Sequence, residues 1–200
     1  MDLAARRIRD GIALGLHRQR SKEIVDLTTC VVLHPVLVAL VPPLRRLLAR
    51  LQAFRRAASV IANLLDSGPD VLLRTDGPLH LADRIALTEF ARAHMLPRIA
   101  WAQGTDEPEP VAVLRPPTIA LSGVEIIPPP GAFLQASSSG EAAIVAAVLE
   151  AVPAKGRIAE LYAGCGTITF ALAERACVAA WEGDGAAASA LRAGHCKRRN

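Results

Sequence analysis

Arg157-Ile-Ala-Glu-Leu-Tyr-Ala-Gly-Cys-Gly-Thr-Ile-Thr-Phe170 decides the fold. An apolar run, Arg157 to Tyr162, leads into Gly164-x-Gly166, and a helical pattern over Thr169 to Ala176 follows at once. Glycine at such a junction lets the chain turn sharply and approach a ligand closely, because no Cβ intervenes. Outward from this loop, Ser139 to Val152 has helical spacing, Val178 to Trp181 is a second apolar strand, and another helix follows. Strands alternating with helices of this length predict right-handed crossovers and a parallel, doubly wound α/β sheet. Only its first two strands are expected here.

The loop restricts the ligand. A dinucleotide fingerprint needs a third glycine at position 169, where this sequence has Thr169. Glu160 precedes the loop, and its carboxylate repels pyrophosphate but suits a cationic sulfonium or ammonium group. Glu182 ends the next strand, where a carboxylate accepts the two ribose hydroxyls of an adenosine. Acids at both places favour S-adenosylmethionine over NAD. Taken singly, either acid reads better as a surface or capping residue. Cys165 lies inside the loop, yet no base or cation near it in sequence promotes a thiolate, so packing is the expected role. Cys177 and Cys196 read as ordinary thiols.

Before Pro128-Pro-Pro-Gly131 the pattern changes to a mixed α+β domain, with the boundary expected near residue 128. Strands are predicted at Ile12 to His17 and Glu23 to Leu27. Leu37, Leu40, Leu44, Leu47, Leu48 and Leu51 have helical spacing, which Pro42-Pro43 should kink or restart. Ser67-Gly-Pro-Asp70 has hairpin chemistry between two strands. Leu81 to His94 is an amphipathic helix, followed by a strand from Arg98 to Trp101 and an edge strand from Val111 to Leu114. His80 and His94 have no partner at metal-ligand spacing, and capping or surface roles are expected. No acid falls between Asp26 and Asp66, whereas Arg45, Arg46, Arg50, Arg55 and Arg56 do. That cluster is either a phosphate-contacting face or a solvated helix side.

Composition sets the outer bounds. An apolar fraction of 52% with 21% charged residues indicates a globular chain rather than a disordered one. Aromatics at 4% leave little for a base-stacking platform. The net charge of +4 permits an anionic partner without requiring one. The four cysteines form no CxxC pair, so neither a zinc site nor a disulfide framework is legible. No secretory h-region follows Met1, and the apolar run Val31 to Val41 is too short to span a bilayer. A cytoplasmic protein is expected, with no membrane contact and no obligate protein partner.

These residues resemble the RNA 5-methyluridine (uracil-C5) methyltransferases, and the large-subunit rRNA enzymes most of all. The resemblance runs through Ser21-Lys-Glu-Ile-Val-Asp-Leu-Thr-Thr-Cys30, Pro130-Gly-Ala-Phe-Leu-Gln135, the Glu160 to Thr167 loop and Glu182. It implies a central α+β domain over residues 1–128 and the first part of a Rossmann-like methyltransferase domain over 129–200. It implies S-adenosyl-L-methionine as cofactor and ribosomal RNA as partner. Gln135, Tyr162, Gly164, Gly166, Thr167 and Glu182 would be cofactor-binding, and Phe133 a packing residue of the Gln135 element. Cys30 matches the last of four iron–sulfur ligands, the other three of which would precede Met1, so no cluster is expected. The family's nucleophilic cysteine and its base belong to the later half of the domain, and the tail Gly194 to Asn200 departs from the family pattern. A fragment lacking both ends, with no catalytic residue of its own, is therefore expected. Two alternatives stand beside it: a non-catalytic RNA-binding fragment using the arginine cluster, and a small-molecule methyltransferase with a fused N-terminal domain.

Overall fold

A computed structural model describes residues 1–198; Arg199 and Asn200, which end the divergent tail, lie outside the described residues. The chain divides into two compact units, Met1–Pro117 and Thr118–Asn200.

The first unit is a seven-stranded sheet backed by two helices. Its strands are β1 (Asp2–Ile8), β2 (Gly11–His17), β3 (Ile24–Asp26), β4 (Ala57–Leu65), β5 (Gly68–Thr75), β6 (Arg98–Gln103) and β7 (Glu109–Val113). Their order is β3-β2-β1-β4-β5-β6-β7. Every neighbouring pair is antiparallel except β5 and β6. That parallel pair needs a crossover, which α2 (Leu81–Ala93) supplies. The β4–β5 hairpin closes with Leu65 opposite Gly68, so the turn centres on Asp66-Ser67, two residues earlier than the Ser67–Asp70 chemistry implies. β7 takes the edge, as expected.

Helix α1 spans Pro35–Arg50 without interruption, and Pro42 and Pro43 lie inside it. Of the two expected effects, a kink or a restart, the restart does not occur. An internal proline forfeits a backbone bond, but Leu37, Leu40, Val41, Leu44, Leu47 and Leu48 are all buried along one stripe. Fully burying each such side chain contributes about 1.5–3 kcal/mol, which outweighs the proline defect. Arg7 of β1 seals the far end. Its Nε donates to the Phe54 carbonyl at 2.8 Å and its guanidinium lies over the Phe54 ring at 4.8 Å. Buried Asp83 accepts the backbone N–H groups of Gln52 and Ala53 at 2.8 and 3.0 Å, which fixes the turn after α1. His80 and His94 flank α2 as its N-cap and C-cap residues.

The second unit begins with the hairpin of β8 (Ile119–Leu121) and β9 (Val124–Ile126). The units therefore divide before the composition change at Pro128, because Leu121, Val124 and Ile126 pack with Phe170, Ala187 and Ala190 of the later chain. Then come α3 (Ser138–Ala151), β10 (Arg157–Leu161), α4 (Thr167–Leu172), β11 (Cys177–Trp181) and α5 (Gly185–Arg198). β10 and β11 pair in parallel, with Leu161 beside Trp181. The strand ends one residue before the predicted Tyr162, and α4 begins earlier and is shorter than predicted. Among the described residues each of the two strands has one neighbour only, and α3 buries none of its side chains. Leu161 and Trp181 are 66% and 55% exposed, so this sheet shows apolar surface of the kind a further layer covers.

Candidate functional site

The glycine loop joins the C-terminal end of β10 to the N-terminus of α4, at the tip of the parallel pair. Ligands of open α/β sheets bind outside these strand ends. Gly166 is the N-cap of α4 with φ +105°, and a Cβ there would meet Leu191 Cδ1 and Phe170 Cε2 at 2.6 Å. This glycine is required by packing. Gly164 has φ +57° and nothing within 4 Å of where its Cβ would sit, so it faces open space. Tyr162 also adopts a left-handed φ of 60° and is 91% exposed. Thr167 is half-buried as the first residue of α4.

Glu182 ties the loop to the neighbouring strand. Its Oε2 accepts the Gly164 N–H and its Oε1 the Asp184 N–H, each at 2.7 Å. The Asp184 and Gly164 amides together hold its carboxyl below the ordinary carboxylate range. Each carboxylate oxygen keeps a further acceptor site. Asp184 then starts α5, its Oδ1 accepting from Ala186 and Ala187 at 2.9 and 2.8 Å. Sequence reasoning passed over Asp184, although an aspartate immediately before an alanine-rich run is an N-cap signal.

Glu160 lies beneath the loop on β10. Burial pushes its pKa up, and the Thr169 hydroxyl beside it pulls only part of the way back. The two side chains lie against each other, yet among the described residues neither Glu160 Oε2 nor Thr169 Oγ1 makes a hydrogen bond of good geometry. Thr169 had counted only as the missing third glycine; its hydroxyl against Glu160 is its positive role. Cys165 is 4% exposed, and burial together with the charges of Asp184 and Glu182 pushes its thiol up to about 11. A thiol so raised is no nucleophile at neutral pH. Gln135 stands outside this hydrogen-bonded set, half-buried in the irregular segment leading to α3, with Phe133 83% exposed in the same segment. Ser137 caps α3 by accepting from Gly140 at 3.1 Å.

The arginine cluster resolves into unequal parts. Arg45 pairs with Asp26 at 2.7 Å and donates to the Ile12 carbonyl. The backbone N–H groups of Arg55 and Arg56 are held by Asp76. Cys30 Sγ accepts the Leu33 N–H at 3.4 Å. Among the described residues no group of three or more His, Cys, Asp or Glu converges as a metal site. No helix among them is long and apolar enough to cross a membrane.

A parallel βαβ unit with a two-glycine loop and an acid on the following strand tip defines a Rossmann-like α/β fold. In keeping with that class, the chain superposes over 99% of its length on a Pyrococcus abyssi tRNA (uracil-54, C5)-methyltransferase solved in complex with S-adenosyl-L-homocysteine. The TM-score is 0.64 at 17% identity, and 52% of that chain is covered. By sequence, the chain is a homologue of the RNA methyltransferases, including uracil-C5 enzymes of 23S rRNA. It is 33% identical to an uncharacterized RNA methyltransferase of Mesorhizobium japonicum over 96% of its own length and 45% of the relative's. It is 33% identical to the 23S rRNA (uracil(1939)-C(5))-methyltransferase of Pectobacterium carotovorum, over 82% of itself and 37% of that enzyme. The chain thus spans less than half the length of these curated relatives. No protein-family model matches it.

Proposed function

We propose that the second unit holds S-adenosylmethionine and serves the methylation of RNA, with uracil carbon-5 of ribosomal RNA as the target in the cytoplasm. The carrying observation is the Glu182 carboxylate, which fixes the Gly164 amide while each of its oxygens keeps a further acceptor site. The residues fit that cofactor chemically. Glu182 would accept the ribose hydroxyls, and Gly164 would let the adenosine approach the backbone. Tyr162 and Thr167 flank the same turn, and Gly166 holds it in shape. Glu160, buried with an unsatisfied oxygen, offers a negative group to the cationic end. Gln135 provides donor and acceptor together for the amino-acid end.

When bound, the cofactor supplies an electrophilic methyl group. This chain's residues bind and orient it, and we assign no catalytic residue among them. Cys165 is unsuited by its burial and raised pKa. Isothermal titration with S-adenosylmethionine, S-adenosylhomocysteine and NAD tests the reading. Saturable binding of the first two at or below about 1 mM, with none of NAD, is expected. Silence toward all three, or a preference for NAD, removes it.

A further inference from the structure

Between α1 and α2 of the first unit runs a groove of about 400 Å³ lined by Arg46, Arg50, Glu89, Phe90 and His94 among others. Arg46 and Arg50 lie one helical turn apart and are both exposed. Among the described residues, and unlike Arg45, they make no ion pair or side-chain hydrogen bond, and no acid lies between Asp26 and Asp66 to neutralise them. Phe90 is packed beneath, 8% exposed, with its ring centroid 4.4 Å from that of His94. That contact fixes the imidazole at the groove edge. The one acid lining the groove, Glu89, is likewise exposed and, among the described residues, makes no ion pair.

We propose that this groove is a backbone-binding surface for single-stranded RNA, with Arg46 and Arg50 each taking a phosphate and His94 flanking the track. The inference rests on the RNA-directed reading above and adds where the strand lies. Charge complementarity supports it. A guanidinium presents a planar fork of donors matched to phosphate, and two of them left without protein partners on successive turns face outward together. Phe90 is too buried to stack on a base, and the two arginines read phosphate and not base edges, so their contacts are sequence-independent.

Fluorescence anisotropy of the full chain with a labelled, unstructured RNA of about 12 nucleotides tests it across a salt series. R46Q/R50Q should bind about tenfold more weakly at low salt and lower the magnitude of the log–log salt slope by about 1.4. R6Q/R9Q, which removes the same charge from exposed positions elsewhere, should leave both unchanged. Glu89→Gln should tighten binding severalfold, which no unfolding of a variant can imitate. If R46Q/R50Q binds like wild type, or R6Q/R9Q loses as much, the groove assignment falls while the RNA reading stands. If wild-type chain binds no RNA, or polyglutamate displaces the RNA at equal charge, both fall; the cofactor titration is untouched by either result.

Discussion

Glu182 Oε2 accepts the amide hydrogen of Gly164 at 2.7 Å, so the acid at the tip of β11 orders the glycine loop that leaves β10. One side chain thereby shapes the loop and, under the proposed cofactor site, would also present acceptors to a ribose. Glu182→Gln keeps the size but turns half the group into a donor, which meets the Gly164 N–H or the Asp184 N–H unfavourably. Affinity for S-adenosylmethionine should fall about tenfold or more by titration calorimetry. Because these amides depress the Glu182 pKa, the ordered loop is fully present above the ordinary carboxylate range. It is lost as pH falls through the depressed value, and wild-type affinity should follow that course. Affinity that is flat down to strongly acidic pH argues against the role.

The two glycines should separate stability from binding. Gly166→Ala forces a Cβ against Leu191 and Phe170 at 2.6 Å from a left-handed backbone, and should cost about 2–3 kcal/mol in thermal unfolding. Gly164→Ala meets no atom and pays only the left-handed backbone, about 1 kcal/mol, yet it intrudes on the open side of the loop. It should weaken cofactor binding far more than it weakens the fold. Equal stability losses contradict the packing role given to Gly166.

Burial raises the Glu160 pKa, so the folded chain keeps that proton over a range where the unfolded chain has released it. Its contribution to stability is best below the ordinary carboxylate value, declines as pH rises toward the raised value, and is level above it. Glu160→Gln removes the decline. The variant should be more heat-stable than wild type at pH 7, equal to it in strong acid, and weaker in cofactor binding. A variant less stable at pH 7 shows that the carboxylate has a partner.

Arg98 and Asp70 meet across the parallel strands β6 and β5 through two bonds of 2.8 and 2.7 Å, with side chains 8% and 1% exposed. Asp70→Ala removes the bidentate partner of a buried guanidinium and should cost about 3–5 kcal/mol in denaturant unfolding, whereas replacing both by apolar residues of similar volume should recover most of that. A single variant no worse than the double sinks this account.

Much of this architecture is legible in the residues. The parallel pair, the glycine loop and its helices follow from Arg157 to Trp181, and period and turn chemistry place most strands of the first unit. What escapes is tertiary. Pro42-Pro43 looks like a break because local rules weigh the lost amide and not the leucine stripe that holds α1 together. Phe133 and Gln135 precede α3 as expected, but their bearing on the site depends on packing that no spacing shows. The arginine cluster is one feature in the sequence and two in the fold, because Asp26 at the end of β3 and Asp76 just after β5 reach it from elsewhere in the chain. Thr169 next to Glu160 is likewise a meeting of strand and helix that the motif cannot display.

Observing the loop amides themselves tests the central claim most directly. With glycine-selective ¹⁵N labelling of the full chain, S-adenosylmethionine should shift the Gly164 and Gly166 amide resonances saturably, and Glu182→Ala should abolish the response while leaving the glycines of the first unit unmoved. Shifts confined to other glycines, or a Gly164 response that survives Glu182→Ala, would contradict a cofactor site built on this loop.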